Sequence, residues 1–396
     1  MLFSKLVFYF LMFISKWMGP SFAKRIVVVG LKSDIFQRPK GVSRRLQTKL
    51  LGKTLATPLG LSSEFDKNGS VLGYFLPLGI SFGEFGSYTL LPEGIKEKSY
   101  FLPKFKSIRI NAPRCANPGI AKAVQVLASR RRMSMPVGVS LISFGSDGEA
   151  YVTGVSAQTS TNVYSYNTEY HQMAMKVAPY ADYVVLNFSH PSMALAQMLA
   201  DETLLLPILL DIKGALRVAA PINPPKMLVK VPYDLSELEV KQIAQTSQKA
   251  GVDGIIVAGP AQMNRQLRSL LGKLSGSYSE DAFVTGDLLK KDMMRLVKRF
   301  YLETEGKMDI IAAGGVFTVR DVYEAIAYGA SAVQLGTVLL YKGPEIITKL
   351  NKQLGLLLEK ENQTIATLRG SRVDLEDHIE QEHKKEQVNH PEMFVD

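Results

Sequence analysis

Residues 309–337 constrain the fold more than any other part of the chain. They read DIIAAGGVFTVRDVYEAIAYGASAVQLGT. An apolar run over 309–313 ends in Gly314 and Gly315, and a helical pattern covers 319–328. A second apolar run over 331–335 then ends in Gly336 and Thr337. Strand, glycine turn, helix, strand, glycine turn describes the two closing βα units of a parallel barrel, whose ligands gather at the C-terminal ends of the strands. Glycines there leave backbone N–H groups bare, and with a helix N-terminus they form a seat for phosphate. The pattern predicts a phosphorylated ligand at the C-terminal face of a (β/α)8 TIM barrel.

The rest of the chain supplies the other strands. Short apolar runs at 58–63, 81–86, 136–141, 183–187, 227–231, 254–258, 309–313 and 332–335 make eight. Helical patterns at 117–129, 167–178, 236–250 and 290–303 fall between them. Such alternation argues an α/β fold with a parallel sheet. The apolar segment 193–219 reads as helical and longer than one barrel helix needs. The barrel is expected over 54–358, with a polar tail over 359–396.

The chain begins differently. Residues 1–18, MLFSKLVFYFLMFISKWM, carry an uninterrupted apolar run only over 6–14, too short to span a bilayer. Lys5, Lys16 and Trp17 flank the run, and no small-residue cleavage site follows it, which argues against a signal peptide. A helix lying in the membrane interface fits this composition better. A second helical pattern covers 21–31, and a basic connector runs over 32–53. Residues 1–53 therefore read as a helical, membrane-associating extension. A formal charge of +10 suits a basic surface or attraction to anionic lipid, and no nucleic-acid-binding motif accompanies it. The one cysteine, Cys115, rules out an intrachain disulfide and a cysteine metal cluster. No metal site is expected.

Two strand-end residues carry chemistry by type alone. Lys230 sits inside the apolar run LVKV, where an ammonium group needs an anionic partner, and no acidic residue follows it before Asp234. It reads either as half of a structural ion pair or as a cation beside an electron-rich ring. His190 is the only histidine in a strand-end loop, between Asn187 and Ser192, and a neutral imidazole there can accept a proton near pH 7. A structural histidine is the alternative.

Together these blocks resemble the dihydroorotate dehydrogenase family, in its membrane-associated, quinone-using class. The resemblance covers about 19–357 and rests on AAGGVFTVRDVYEAIAYGASAVQLGT, FDKNG at 65–69, the Gly86-Ser87 pair, LVKV, and DGIIV at 253–257. It implies FMN as cofactor, dihydroorotate as substrate and quinone as electron acceptor, with a tunnel under the N-terminal helices. Carried over by position, Gly286, Gly314, Gly315, Gly336 and Thr337 hold the FMN phosphate, and Ser63, Ser87 and Ser140 line the cofactor. Lys230 neutralises the N1/O2 side of the ring, and Lys67 lies beside ring and substrate. Asn111, Asn187 and Ser192 stand at substrate-binding positions. The class implies a peripheral membrane location, and because the start is apolar rather than arginine-rich and serine-rich like a mitochondrial presequence, the cytoplasmic face of a bacterial inner membrane is expected, or the mitochondrial inner membrane in a eukaryote.

Departures from the family pattern cluster at the chemistry. His190 stands where this class has a serine base, and Ser192 where it has an asparagine. Ala258-Gly259-Pro260 replaces Thr-Asn-Thr, Ser140 replaces an asparagine, and Cys115-Ala116 falls in a stretch the family writes as Gly-Phe-Asn. Glu64 replaces a glycine, setting a carboxylate where it would repel an anionic ring. Three readings stay open: a dihydroorotate dehydrogenase with His190 as base, an FMN oxidoreductase of this scaffold with another small substrate, or a catalytically silent membrane-associated barrel.

Overall fold

The computed structural model describes residues 2–33, 35–36, 41–94, 98–111, 115–129, 135–145, 160–190, 199–262 and 282–373. Two N-terminal helices, α1 (Leu2–Met18) and α2 (Pro20–Lys32), pack against each other. Phe8 of α1 lies edge-on to Phe36, with ring centroids 5.0 Å apart. Gly30 lets α2 come this close, since a Cβ there would sit 2.8 Å from the Phe8 ring. The opposite face of α1 leaves Phe3, Leu6, Phe10, Phe13 and Trp17 exposed. These residues recur at roughly helical spacing, so the exposed apolar surface is one stripe. Among the described residues, no helix is long and apolar enough to cross a membrane.

The segment read as a basic connector is ordered where it is described. Strands β1 (Thr48–Leu50) and β2 (Lys53–Leu55) form an antiparallel hairpin. Leu51 and Gly52 both take positive φ at its turn, as a tight two-residue hairpin requires. Leu50, Leu51 and Leu55 are buried with the barrel-interior residues Phe82, Tyr183, Val185, Leu228, Ile256 and Ile311. The hairpin therefore plugs the end of the barrel remote from the strand C-termini.

The barrel strands are β3 (Leu59–Leu61), β4 (Phe82–Tyr88), β7 (Val137–Leu141), β8 (Tyr183–Asn187), β9 (Lys226–Val231), β10 (Gly254–Val257), β13 (Asp309–Ala313) and β14 (Ala332–Leu335). They close in the order β10-β13-β14-β3-β4-β7-β8-β9, with every pairing parallel. All eight coincide with the expected runs; β3 is shorter than its run and β4 extends two residues further. Around them lie α3 (Leu72–Phe75), α4 (Ile120–Ser129), α5 (Ser160–Val177), α6 (Glu202–Ala219), α7 (Glu237–Lys249), α8 (Lys290–Glu303) and α9 (Val319–Ala327). Helix α6 covers the later part of the long apolar segment, and 193–198 lie outside the described residues.

A period of two along each strand sorts the interior into layers. Phe82, Tyr183, Leu228, Ile256 and Ala332 fill the lower layer. Two residues further along their strands, Glu84, Lys230 and Gln334 point the same way into the layer above. Gly60 and Gly138 make room for the large rings below: a Cβ would lie 2.4 Å from the Phe82 ring or 2.0 Å from the Tyr183 ring.

A four-stranded antiparallel sheet was not foreseen. It joins β5 (Lys98–Leu102), β6 (Ser107–Asn111), β11 (Ala261–Gln262) and β12 (Ala282–Gly286) in the order β11-β12-β6-β5. The residues before Asn111 read as loop from sequence, but they form two strands that roof the strand C-termini. The packed chain also continues past 358. Helix α10 (Thr337–Lys342) leads to α11 (Ile346–Lys360) and α12 (Ile365–Leu368), and Arg369 donates to the carbonyls of Gly329 and Met308 at 3.0 and 2.9 Å. Of the expected tail, 359–373 thus pack on the barrel.

Candidate active site

The loop after β3 is built by Asp66. Its carboxylate accepts from the amides of Ser70, Val71 and Leu72 at 2.9, 2.9 and 2.8 Å, which fixes the turn leading into α3. Lys67, next in sequence, is thereby held at the barrel mouth. There it lines a cavity of about 220 Å³ together with Ser63, Ser87, Asn187, His190 and Lys230. Phe283 of β12 and Ile108 and Ile110 of β6 line the same cavity from the roofing sheet, and Pro20, Ser21 and Lys24 of α2 line it from the N-terminal side.

Lys230 is fully buried, and the partner it needs comes from elsewhere in the chain. Its Nζ lies 3.9 Å from Glu64 Oε1 and 4.0 Å from Glu84 Oε1. Glu84 is completely buried, and its Oε2 accepts from Gln334 Nε2 at 3.0 Å. Glu84 Oε1 and Gln334 Oε1 have no hydrogen-bond partner among the described atoms. The ion-pair and ring-facing readings of Lys230 are thus compatible, since one ammonium group pairs with Glu84 from below and lines the cavity above.

A second chain of contacts runs along one wall. Ser140 Oγ and Ser87 Oγ lie 2.7 Å apart, and Asn187 Nδ2 donates to Ser87 Oγ at 2.8 Å. Asn187 Oδ1 accepts from the Ser189 amide and hydroxyl at 3.0 and 2.6 Å. One amide N–H of Asn187 is left over from these bonds. Ser140 is fully buried behind Ser87, so it acts on the cavity through that neighbour. Gly259 packs against this wall: a Cβ there would lie 1.9 Å from Ser189 Oγ. A larger residue at 259 would require Ser189 to move.

His190 is buried, with its ring edge-on to Phe144 at 5.5 Å and to Phe283 at 5.3 Å. Burial in this aromatic setting, together with the nearby Lys67 ammonium, pushes the imidazole down to about 3. It is neutral at pH 7, as expected, but a far weaker proton acceptor than an unperturbed histidine.

The expected phosphate seat forms a narrow compartment of about 30 Å³ lined by Ser62, Thr285, Gly314, Gly336 and Thr337. Among the described residues, no carbonyl accepts from the amides of Gly314, Gly315, Gly336 or Thr337. Thr285 Oγ1 and Thr337 Oγ1 lie 3.0 Å apart across it. A Cβ on Gly314 or Gly336 would meet nothing closer than 3.7 or 3.6 Å, so a side chain there would fill the seat. Gly286 and Gly315 act differently. Both have positive φ, and a Cβ would strike Lys106 and Ser107 at 2.7 Å or Lys290 backbone at 2.6 Å. They allow close packing behind the seat.

The two compartments meet at Glu64 and Pro260. Bare amides in one compartment and a buried ammonium group in the other, with Ala258, Gly259 and Pro260 among the lining, suit a phosphorylated, ring-bearing cofactor. Glu64 stands at the junction with 38% of its side chain exposed, so it has freedom to turn, and Lys24 lines the same cavity as an alternative partner.

Asn111 ends β6, paired with Ala282 and Lys98, and Ser192 lies outside the described residues. Residues that sequence reasoning missed are Glu84, Gln334, Thr285 and Phe283. The first two carried a usable signal, a carboxylate or amide side chain set between apolar residues of a strand, much as Lys230 is. Nothing in the sequence marked Thr285 or Phe283, because their strand was not recognised.

A family model described as dihydroorotate dehydrogenase matches residues 45–358. The chain is 30% identical to "Dihydroorotate dehydrogenase (quinone)" of Crocosphaera subtropica over 323 residues, covering 80% of each chain. It is 26% identical to "Dihydroorotate dehydrogenase (quinone), mitochondrial" of Mus musculus over 362 residues, covering 89% of this chain and 87% of that one. Among solved structures, the ligand-free enzyme of Eimeria tenella superimposes with a TM-score of 0.74 at 23% identity, over 89% of this chain and 99% of that chain. The same enzyme in complex with ferulenol gives 0.73.

Proposed function

This chain belongs to the dihydroorotate dehydrogenase family, and from that premise we propose that it oxidises dihydroorotate to orotate with FMN as cofactor and quinone as electron acceptor. The observation that carries the reading is convergence. Lys67, Asn187, His190 and Lys230 line one cavity, and that cavity abuts a glycine seat with bare amides.

FMN, when bound, supplies a hydride acceptor, and the protein supplies binding and electrostatics. The amides of Gly314, Gly336 and Thr337, with the hydroxyls of Thr285 and Thr337, hold its phosphate. Lys230, fixed by Glu84, offers positive charge to the ring, and Ser63 and Ser87 border it. Glu64 turns away from Lys230 to join the two compartments.

Asn187 binds substrate through its remaining amide N–H. The Lys67 ammonium attracts the substrate carboxylate. That anion offsets the charge which, after burial, holds His190 down, so the imidazole becomes more basic when substrate is present. His190 then takes the C5 proton of dihydroorotate, while Phe144 and Phe283 keep water from the ring. The family resemblance assigns Asn111 and Ser192 the remaining substrate contacts.

The cavity reaches α2 past Ile108 and Leu340, which suits an apolar quinone arriving from the N-terminal helices. The exposed stripe of α1 lies on a membrane surface, with apolar side chains in the acyl boundary. The protein is peripheral, at the cytoplasmic face of a bacterial inner membrane, or at the mitochondrial inner membrane in a eukaryote.

A direct test incubates FMN-loaded protein with dihydroorotate and a soluble quinone and follows orotate by chromatography. Stoichiometric orotate and quinol are expected. Orotate absent while flavin stays bound would favour the non-catalytic reading, which the Glu64–Lys230 contact of 3.9 Å supports.

A further inference from the structure

Beside the exposed stripe of α1 lies a groove that the proposed reaction does not use. It runs between α1, α10 and α11 and encloses about 730 Å³. Lys16, Lys342, Lys349 and Lys352 line it, with Phe13 and Tyr341 supplying apolar and aromatic surface. Among the described residues, its only lining carboxylate is Glu345. That group is already engaged by Lys5 at 2.5 Å and by the Tyr9 hydroxyl. Among the described residues, no carboxylate lies within 4.0 Å of any of the four lining ammonium groups.

The lysines also act on one another. Burial, then Lys106 and Lys349, lower Lys342 below the ordinary lysine range, and the weaker pull of Asp321 and Asp287 only partly offsets them. Lys342 donates to the Phe317 carbonyl at 2.8 Å, which fixes the end of its side chain. The one carboxylate lining the cluster among the described residues, Glu345, is thus taken up by Lys5 and Tyr9 rather than by the four lining lysines. The cluster also adjoins the apolar face of α1, since Phe13 belongs to both, with Lys16 Nζ 5.7 Å from the Phe13 ring centroid.

We propose that this groove binds the phosphodiester headgroup of an anionic glycerophospholipid in the membrane on which α1 lies. The proposal rests on the interfacial reading of α1 and adds a lipid preference to it. The geometry gives both halves of a lipid a partner. Acyl chains meet Phe10, Phe13 and Trp17, and the phosphate meets Lys16, Lys349 and Lys352. Each lysine near an anionic surface strengthens binding by about fivefold at low ionic strength, and salt weakens the effect within a Debye length.

The test is co-sedimentation of the full-length protein with two kinds of vesicle, phosphatidylcholine alone and phosphatidylcholine with roughly one third phosphatidylglycerol. At least a tenfold preference for the anionic vesicles is expected, shrinking with added salt. The variant Lys16→Gln/Lys349→Gln/Lys352→Gln should lose most of that preference while still binding the zwitterionic vesicles. A control variant, Lys122→Gln/Lys176→Gln/Lys241→Gln, removes the same charge from exposed positions on α4, α5 and α7 and should keep it. Equal binding to both vesicles, or equal loss in the control and groove variants, would overturn the headgroup site and leave the interfacial helix standing. No binding to either vesicle would overturn both.

Discussion

Glu64 offers a sharp test of the cofactor site, because its effect depends on a single contact. Its carboxylate lies 3.9 Å from Lys230 Nζ at the junction of the two compartments. On the proposed reading, FMN would displace that contact to bring its ring to Lys230. In bulk water, two unit charges at this separation attract by about 1 kcal/mol, and by about 4 kcal/mol at an effective dielectric near 20. Glu64 is more than one-third exposed, so the lower figure applies. Neutralising it as Glu64→Gln should tighten FMN binding by about 1 kcal/mol, roughly fivefold. Glu64→Gly should gain at least as much, since it also clears the junction. Quenching of flavin fluorescence on titration into apoprotein measures both. The gain should vanish when Glu64→Gln is made in a Lys230→Met background, because no ion pair then remains to break. Unchanged or weaker affinity in both single variants, or an undiminished gain without Lys230, would refute the reasoning.

Other outcomes follow from the same geometry. Lys230→Met alone leaves Glu84 buried without its cation and should destabilise the fold by about 3–5 kcal/mol, which Glu84→Gln should largely restore in urea titrations. His190 has a folded pKa near 3, below its unfolded value, so the unfolded chain binds the extra proton. Its contribution to stability is complete above about pH 6.5 and falls by up to about 1.4 kcal/mol per unit as pH drops towards 3. Comparing acid unfolding of the parent with His190→Phe checks this. Gly336→Val should fill the phosphate seat and abolish FMN retention without changing the far-ultraviolet circular dichroism. Removing residues 1–18 should release the protein from vesicles and slow quinone reduction more than flavin reduction; undiminished vesicle recovery would count against the interfacial helix.

The barrel was legible because each of its strands is a short apolar run set between helical or turn signals, and burial on both faces enforces that pattern. The roofing sheet was not. Its strands KSYFL and SIRIN mix charged and apolar residues, and β6 pairs with β12, which lies more than a hundred residues later. Local sequence holds no trace of that pairing. The β1–β2 hairpin left a fainter mark in Leu51-Gly52, hidden within a stretch whose charge suggested a connector. At the candidate site, residue type and strand position marked Lys230 and His190 as candidates, the resemblance added Asn187, and the fold brings the three to one cavity. What the sequence could not supply was company. Glu84 reaches Lys230, and Gln334 braces Glu84, from strands separated from Lys230 by more than a hundred residues, and Phe144 and Phe283 set the environment that weakens His190 as a base. Those neighbours depend on barrel closure and on the roof, which are tertiary events.

The visible absorption of the full-length protein under anaerobic conditions, recorded before and after dihydroorotate, tests the central claim most directly. Protein reconstituted with FMN should be yellow, with about one flavin per chain. Dihydroorotate should bleach the flavin band, and quinone should restore it. A chain that takes up no flavin, or whose flavin keeps its colour under excess dihydroorotate, would contradict the account.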